Sequence, residues 1–397
     1  SGGTFYGGDA FPESYYGTIF AGDVAGNLVH RDILTVSDDG PYMTAHRGTR
    51  EKDKEFLAST DTWFRPANFS VGPDGYLYVI DMYRQHIETP LSIPADLQTD
   101  MDFDAGNTMG RIYRVVPQNG AAAEREQPHL KAATSEQLVR TLLHKNKWWR
   151  TTAQRLLLER QDKTVIPRVK ELFTQSSDPR TRLHALYVLE GMDALDVGIV
   201  KTALKDPVAG VRENAAILAE RFPACLNDLG QLTNDSSVRV SYQATLSLGA
   251  FKDNRIIPRL AATIQLHGRS KWFRAAVLSS GQGSSVHLLD ALIKNGFTDI
   301  AEDWKNDFYK ELAEAIGTRG ERSQVRDLLQ RASLAAVIKT AGAQSALVKG
   351  ISAGLQNAEG TNDAIKEKLK AIGAAADKDA AKALEDLTLL YPGVAKN

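Results

Sequence analysis

A β-rich first third followed by an α-solenoid is the fold class that the sequence predicts, on three observations. Up to Pro117 apolar and polar residues alternate with period two. From about Thr134 the period becomes that of amphipathic helices. Within the helical part an arginine-led phrase returns about every 30 residues, the spacing of stacked helix pairs.

Strands are expected near Gly17–Asp23, Asn27–Leu34, Phe56–Thr60, Asn68–Gly72, Tyr76–Met82 and Arg111–Val116, where β-branched and aromatic runs lie between Gly, Pro and Asp. In "SVGPDGYLYVID" the run Pro73-Asp74-Gly75 supplies a turn, because Pro presets φ and Gly accepts φ > 0, so its flanking strands should pair antiparallel. Tyr76, Tyr78 and Ile80 fall on one face and Leu77, Val79 and Asp81 on the other. Both faces are fairly apolar, which predicts a sheet covered on two sides. The strands form two groups of about four, residues 4–60 and 61–117, each the size of a β-propeller blade. Two blades cannot close a ring. Open edges would need cover from elsewhere, in keeping with a start at Ser1-Gly2-Gly3 that reads as cut from something longer.

Helices follow in "WRTTAQRLLLER", "TRLHALYVLEG", "VRENAAILAER", "VRVSYQATLSLG" and "FRAAVLSSG". Their arginines, Arg150, Arg182, Arg212, Arg239 and Arg274, are separated by 32, 30, 27 and 35 residues. They are expected to stack along the ladder and to bond Asp carboxylates of the preceding unit. Asp178-Pro179, Asp206-Pro207 and Asp235-Ser236 mark turns before three of the units. Regularity falls after about residue 300, where "DAIKEKLKAIG" and "DAAKALEDLTLLYP" still read as helices, the last stopped by Pro392. The stretch "QNGAAAEREQPH" is the expected linker, giving a sheet domain over 1–117, a connection over 118–133 and a solenoid over 134–397. Trp148, Trp149 and Trp272 flank repeat arginines and are expected in the core, though a partner-binding surface stays open.

Composition narrows the function classes. The net charge of -1 hides a split: residues 1–118 hold 17 Asp/Glu against 9 Lys/Arg, a balance of -8, and the remainder holds 32 against 39, a balance of +7. That asymmetry suggests domains with attractive faces, and no basic stripe interleaved with aromatics points to nucleic acid. No apolar run is long enough to span a bilayer. Cys225 is the single cysteine, which excludes an internal disulfide, a Cys-based metal cluster and a c-type haem attachment on this chain.

At "FRPANFSVGPDGYLYVIDMYRQHIE", with "DAFPESYYGTIFAGDVAGNLVHRDIL" before it and "GRIYRVVP" after it, the chain resembles the end of the β-propeller in large bacterial proteins described as membrane-bound dehydrogenases. These are related to the glucose/sorbosone dehydrogenases that use pyrroloquinoline quinone (PQQ). The resemblance covers residues 2–117 by sequence and 134–290 by architecture. It implies HEAT-like repeats after the propeller, an extracytoplasmic (periplasmic) setting, and a parent that acts on a small sugar or alcohol. It also implies PQQ, which calcium can accompany, and haem c in that parent, with missing propeller blades and a haem-c domain as partners. Most of the propeller and the haem motif are absent here, so the segment alone is expected to be inactive.

Four residues are candidates for a cofactor-binding site. Arg65 and Arg84 sit at strand ends, where a planar guanidinium could take a quinone carboxylate bidentately, or Arg65 could pin the loop before Pro66 by pairing with Asp61 or Asp81. Asp81 ends "YLYVID" and could accept a proton or help hold a cation, or cap the next turn. His30 could act as a base, or pack within its strand with its nitrogens bonded. Asp100, Asp102 and Asp104 alternate like the start of a calcium loop, but Gly106 comes one place late and Arg111 stands where a bidentate Glu belongs, so the run is read as a solvated loop. A rival function of another class is a non-catalytic carbohydrate- or protein-binding propeller whose helical array is a docking surface.

Overall fold

The computed structural model describes residues 2–37, 40–118, 127–333 and 340–394, and shows a mixed β and α chain: small antiparallel sheets first, then helices. The strands are β1 (Gly3–Phe5), β2 (Ile19–Asp23), β3 (Leu28–Val36), β4 (Met43–His46), β5 (Leu57–Ala58), β6 (Pro66–Val71), β7 (Leu77–Asp81) and β8 (Arg111–Val115). One sheet runs β1-β2-β3-β4 with β5 also on β3; the other runs β6-β7-β8. Among the described residues neither sheet closes on itself. The helices are α1 (Ser135–Thr141), α2 (Lys147–Arg160), α3 (Ile166–Gln175), α4 (Pro179–Gly191), α5 (Val197–Ala203), α6 (Ala209–Ala219), α7 (Leu226–Leu232) and α8 (Val238–Leu248). Then come α9 (Ile257–His267), α10 (Lys271–Leu278), α11 (Val286–Lys294), α12 (Asp303–Arg319), α13 (Arg322–Ser333), α14 (Ala341–Asn357), α15 (Asp363–Ala375) and α16 (Ala380–Val394).

Packing divides the chain into two compact units, one of residues 1–38 with 42–195, the other chiefly 196–397. All the strands therefore share a unit with α1 to α4. Most of the expected linker, residues 119–126, lies outside the described residues. In the first unit the two sheets contribute to one core of Tyr6, Phe20, Val29, Phe64, Phe69, Leu77 and Val79. The sheets approach closely at Gly22, where a Cβ would lie 2.1 Å from the Pro66 carbonyl oxygen, so only glycine fits. The predicted turn forms: Gly75 takes φ +79° and its N–H bonds the Gly72 carbonyl, which brings Val71 opposite Leu77. The outer face of the second sheet is less covered than its pattern predicts, for Ile112 on β8 is 67% exposed.

The turn is also where the helices meet the strands. Asn146, the α2 N-cap, accepts the Trp148 N–H and donates Nδ2 to the carbonyls of Gly72 (3.0 Å) and Pro73 (3.1 Å). Trp149 Nε1 donates to Pro73 O at 2.8 Å, and the Lys147 N–H to Gly7 O at 2.7 Å. Arg150 Nη2 reaches the Tyr16 hydroxyl at 3.0 Å, while Arg180 stacks over the Tyr16 ring at 4.9 Å. These contacts run to carbonyls, a hydroxyl and an aromatic ring, so the attraction expected between acidic and basic faces is not what they use. Trp149 is buried, as expected of core, and Trp148 is half-buried, whereas Trp272 is 38% exposed, which corrects the expectation for that residue.

In the first unit α1 packs on α2, α3 on α4, and α2 on α4; in the second α5 packs on α6, α7 on α8, α9 on α10, with α6, α8, α10 and α12 in contact in turn. The repeat arginines serve their own loops first. Nη1 of Arg150 bonds the carbonyls of His144 and Lys145, that of Arg182 those of Ser176 and Ser177, that of Arg212 those of Asp206 and Pro207, and that of Arg274 those of Gly268 and Arg269. Arg212 then bonds Asp235 and Arg274 bonds Glu311, both later in the chain, which corrects the expectation of a preceding partner. Arg239 is out of register. Buried Ser241 occupies the inward place, donating to Thr233 O at 2.6 Å, and Arg239 pairs with Glu213 at its edge. Counted through Ser241, the spacings become 32, 30, 29 and 33. At the far end α16 runs on through Pro392 to Val394, since a proline in a last turn forfeits one ladder bond at a terminus that frays anyway.

Candidate functional site

The strand ends of the second sheet gather three of the four candidate residues. Asp81 closes β7 and is 1% exposed; its Oδ1 accepts the N–H groups of Arg65 and Tyr83, each at 2.8 Å. The second bond is the expected turn cap, and the chain behind it turns so sharply that Tyr83 takes φ +48°. Asp81 Oδ2 is buried without a partner.

Arg65 spends its guanidinium on backbone. Nε donates to Arg84 O (2.9 Å), Nη1 to Val24 O (2.7 Å) and Nη2 to Gln85 O (2.8 Å). These bonds tie the β2–β3 turn to the loop after β7. Asn27, at φ +56°, adds a second tie by donating Nδ2 to Thr62 O and Phe64 O. Arg65 therefore pins loops, through carbonyls where the sequence suggested an Asp carboxylate. Among the described residues the Arg84 guanidinium makes one long bond, Nη1 to Asp104 O at 3.4 Å.

His30 belongs to a different cluster. In the body of β3 its Nδ1 meets Glu55 Oε2 and its Nε2 meets Asp32 Oδ1, each at 2.9 Å, and Glu55 also binds Arg47. Burial alone would raise the Glu55 carboxyl, but the hydrogen bonds from Arg47 and His30 outweigh it and hold the group below the usual carboxylate range. An imidazole between two carboxylates has both nitrogens engaged.

Around the pinned loops lies a surface that the sequence reading did not single out. The rings of Trp63 and Tyr83 are 5.8 Å apart, Arg111 stacks over Tyr83 at 4.0 Å, and the Tyr83 hydroxyl donates to Asp61 Oδ2 at 3.0 Å. The Asp61 hydrogen bond, with a smaller contribution from burial, raises the Tyr83 phenol above its ordinary value. Trp63 and Tyr83 are half-buried. Their signal in the sequence was adjacency, since Trp63 stands two places before Arg65 and Tyr83 one place before Arg84. In the acidic loop beyond, Asp102 Oδ1 accepts the Asp104 N–H, an Asx turn.

The structure brings Arg65, Asp81 and Arg84 together and leaves His30 in a separate cluster. Arg65 and His30 are committed and Asp81 is enclosed, while Arg84 has guanidinium donors without a partner among the described residues. A family model described as a domain of unknown function (DUF7133) matches residues 1–119, the strand-bearing stretch that ends before α1. No curated protein matches the chain.

Proposed function

We propose that the chain is the recognition and scaffolding part of a larger extracytoplasmic protein, its sheets two blades of a β-propeller and its helices a HEAT-like α-solenoid. The ligand of the strand-end surface is a carbohydrate. The observation that carries this reading is the half-exposed cluster of Trp63, Tyr83 and Arg111, in which the two rings are tilted 56° to each other, beside Arg84. Flat aromatic faces cover sugar C–H groups, while guanidinium and Asp61 oxygens bond hydroxyls. The helices would then offer a partner, such as a haem-c domain, an extended face of stacked pairs. Calorimetry on the full chain with neutral disaccharides and oligosaccharides tests this. Trp63→Ala should abolish the heat of binding while the variant stays folded by circular dichroism, and binding that survives the substitution would remove the assignment.

A second reading keeps the kinship with quinoprotein sugar or alcohol dehydrogenases, favoured by Arg84, whose donors could meet an anionic cofactor supplied with the parent's other blades. PQQ-dependent dye reduction by the parent, lost on Arg84→Ala, would support it; reduction that is indifferent to the change would remove Arg84 from the site.

A further inference from the structure

We propose that a groove beside α1 and α2 binds a small organic monocarboxylate. The groove encloses about 600 Å³. Leu130, Ala133 and Leu143 supply apolar wall, Leu143 being half exposed, and the polar lining includes His129, Arg140 and His144 beside neutral glutamines and a threonine. No described residue lining it is acidic. His144 is held from three sides. Its Nδ1 accepts the Asn146 N–H at 2.9 Å, its carbonyl accepts Arg150 at 2.7 Å, and its ring stacks on Trp149 at 5.1 Å with planes 22° apart. Because Nδ1 is the acceptor, the proton of the neutral ring stands on Nε2 and makes that nitrogen a donor. Arg140 lies four residues earlier and adds a permanent charge whose fork suits a carboxylate. A positioned imidazole N–H and a guanidinium above an apolar wall recognise an anion that carries a hydrophobic body.

Calorimetry on the full chain with benzoate, acetate and inorganic phosphate tests the proposal. Benzoate should bind saturably near or below about 1 mM, with acetate and phosphate at least about tenfold weaker. Arg140→Gln should weaken benzoate about tenfold, and Leu143→Glu, which adds a carboxylate at an exposed position, should abolish binding. Both positions are on the surface, so thermal midpoints should hold. No saturable heat with benzoate, equal affinity for phosphate, or indifference to Arg140→Gln would each overturn it.

Discussion

The Trp149 indole N–H and the Pro73 carbonyl meet at 2.8 Å, 76 residues apart in sequence. That bond, with the two from Asn146, fixes a helix start to the tip of a β-hairpin.

Trp149→Phe keeps an aromatic ring, though a smaller one, and removes the donor, leaving Pro73 O to Asn146, so it should cost about 1–2 kcal/mol. Trp149→Ala also opens a cavity and should cost about 3–5 kcal/mol. Urea unfolding of both variants checks the ratio; equal losses would mean that the hydrogen bond rather than the packing carries the contact.

Arg65→Lys cannot reach three carbonyls with one ammonium. A loss of about 2 kcal/mol is expected, with faster amide exchange at Tyr83 and Arg84. Arg84→Ala should change stability by less than about 0.5 kcal/mol. Hydrogen exchange resolves the two, and matching behaviour would contradict the division of roles drawn above.

Along the helices, Arg274→Ala should cost about 3 kcal/mol because it strands two loop carbonyls and the Glu311 carboxylate. Arg239→Ala, at a partly exposed pair, should cost under about 1 kcal/mol, and Ser241→Ala about 1 kcal/mol. Chemical denaturation that ranked Arg239 with Arg274 would restore Arg239 to the repeat.

Burial, aided by the charges of Arg150 and Lys147, pushes the His184 imidazole down to about 4. The unfolded chain takes up the proton near pH 6.5, while the folded one resists it until about 4. Stability is therefore complete above about pH 6.5 and declines as pH falls towards 4, by roughly 3 kcal/mol in all. His184→Gln should flatten that limb of the stability–pH curve; an unchanged slope would place its origin elsewhere.

Strands with strong period-two patterns were legible almost to the residue: expected Asn68–Gly72 is Pro66–Val71, and expected Tyr76–Met82 is Leu77–Asp81. β4 was not, because Met43–His46 is exposed throughout and no alternation marks it. Arg239 misled for a related reason. Its spelling copies the other repeats, yet it is burial that sets the register, and Ser241 is the residue inside. At the candidate site, sequence located Arg65, Asp81 and Arg84 at strand ends. It could not see that Arg65 would meet Val24, or His30 meet Glu55, since those partners lie 41 and 25 residues away and no local pattern links them.

The four-residue turn at Gly72–Gly75 is held from both sides, by Tyr6 through the Gly75 carbonyl at 2.7 Å and by Asn146 and Trp149 through Gly72 and Pro73. A protease cut after residue 118 would leave every strand intact and still take half of that grip away. The stretch shared with a sequence family is thus shorter than the compact unit that contains it, and removing the helices of that unit should lower the strands' melting temperature even though no strand is touched.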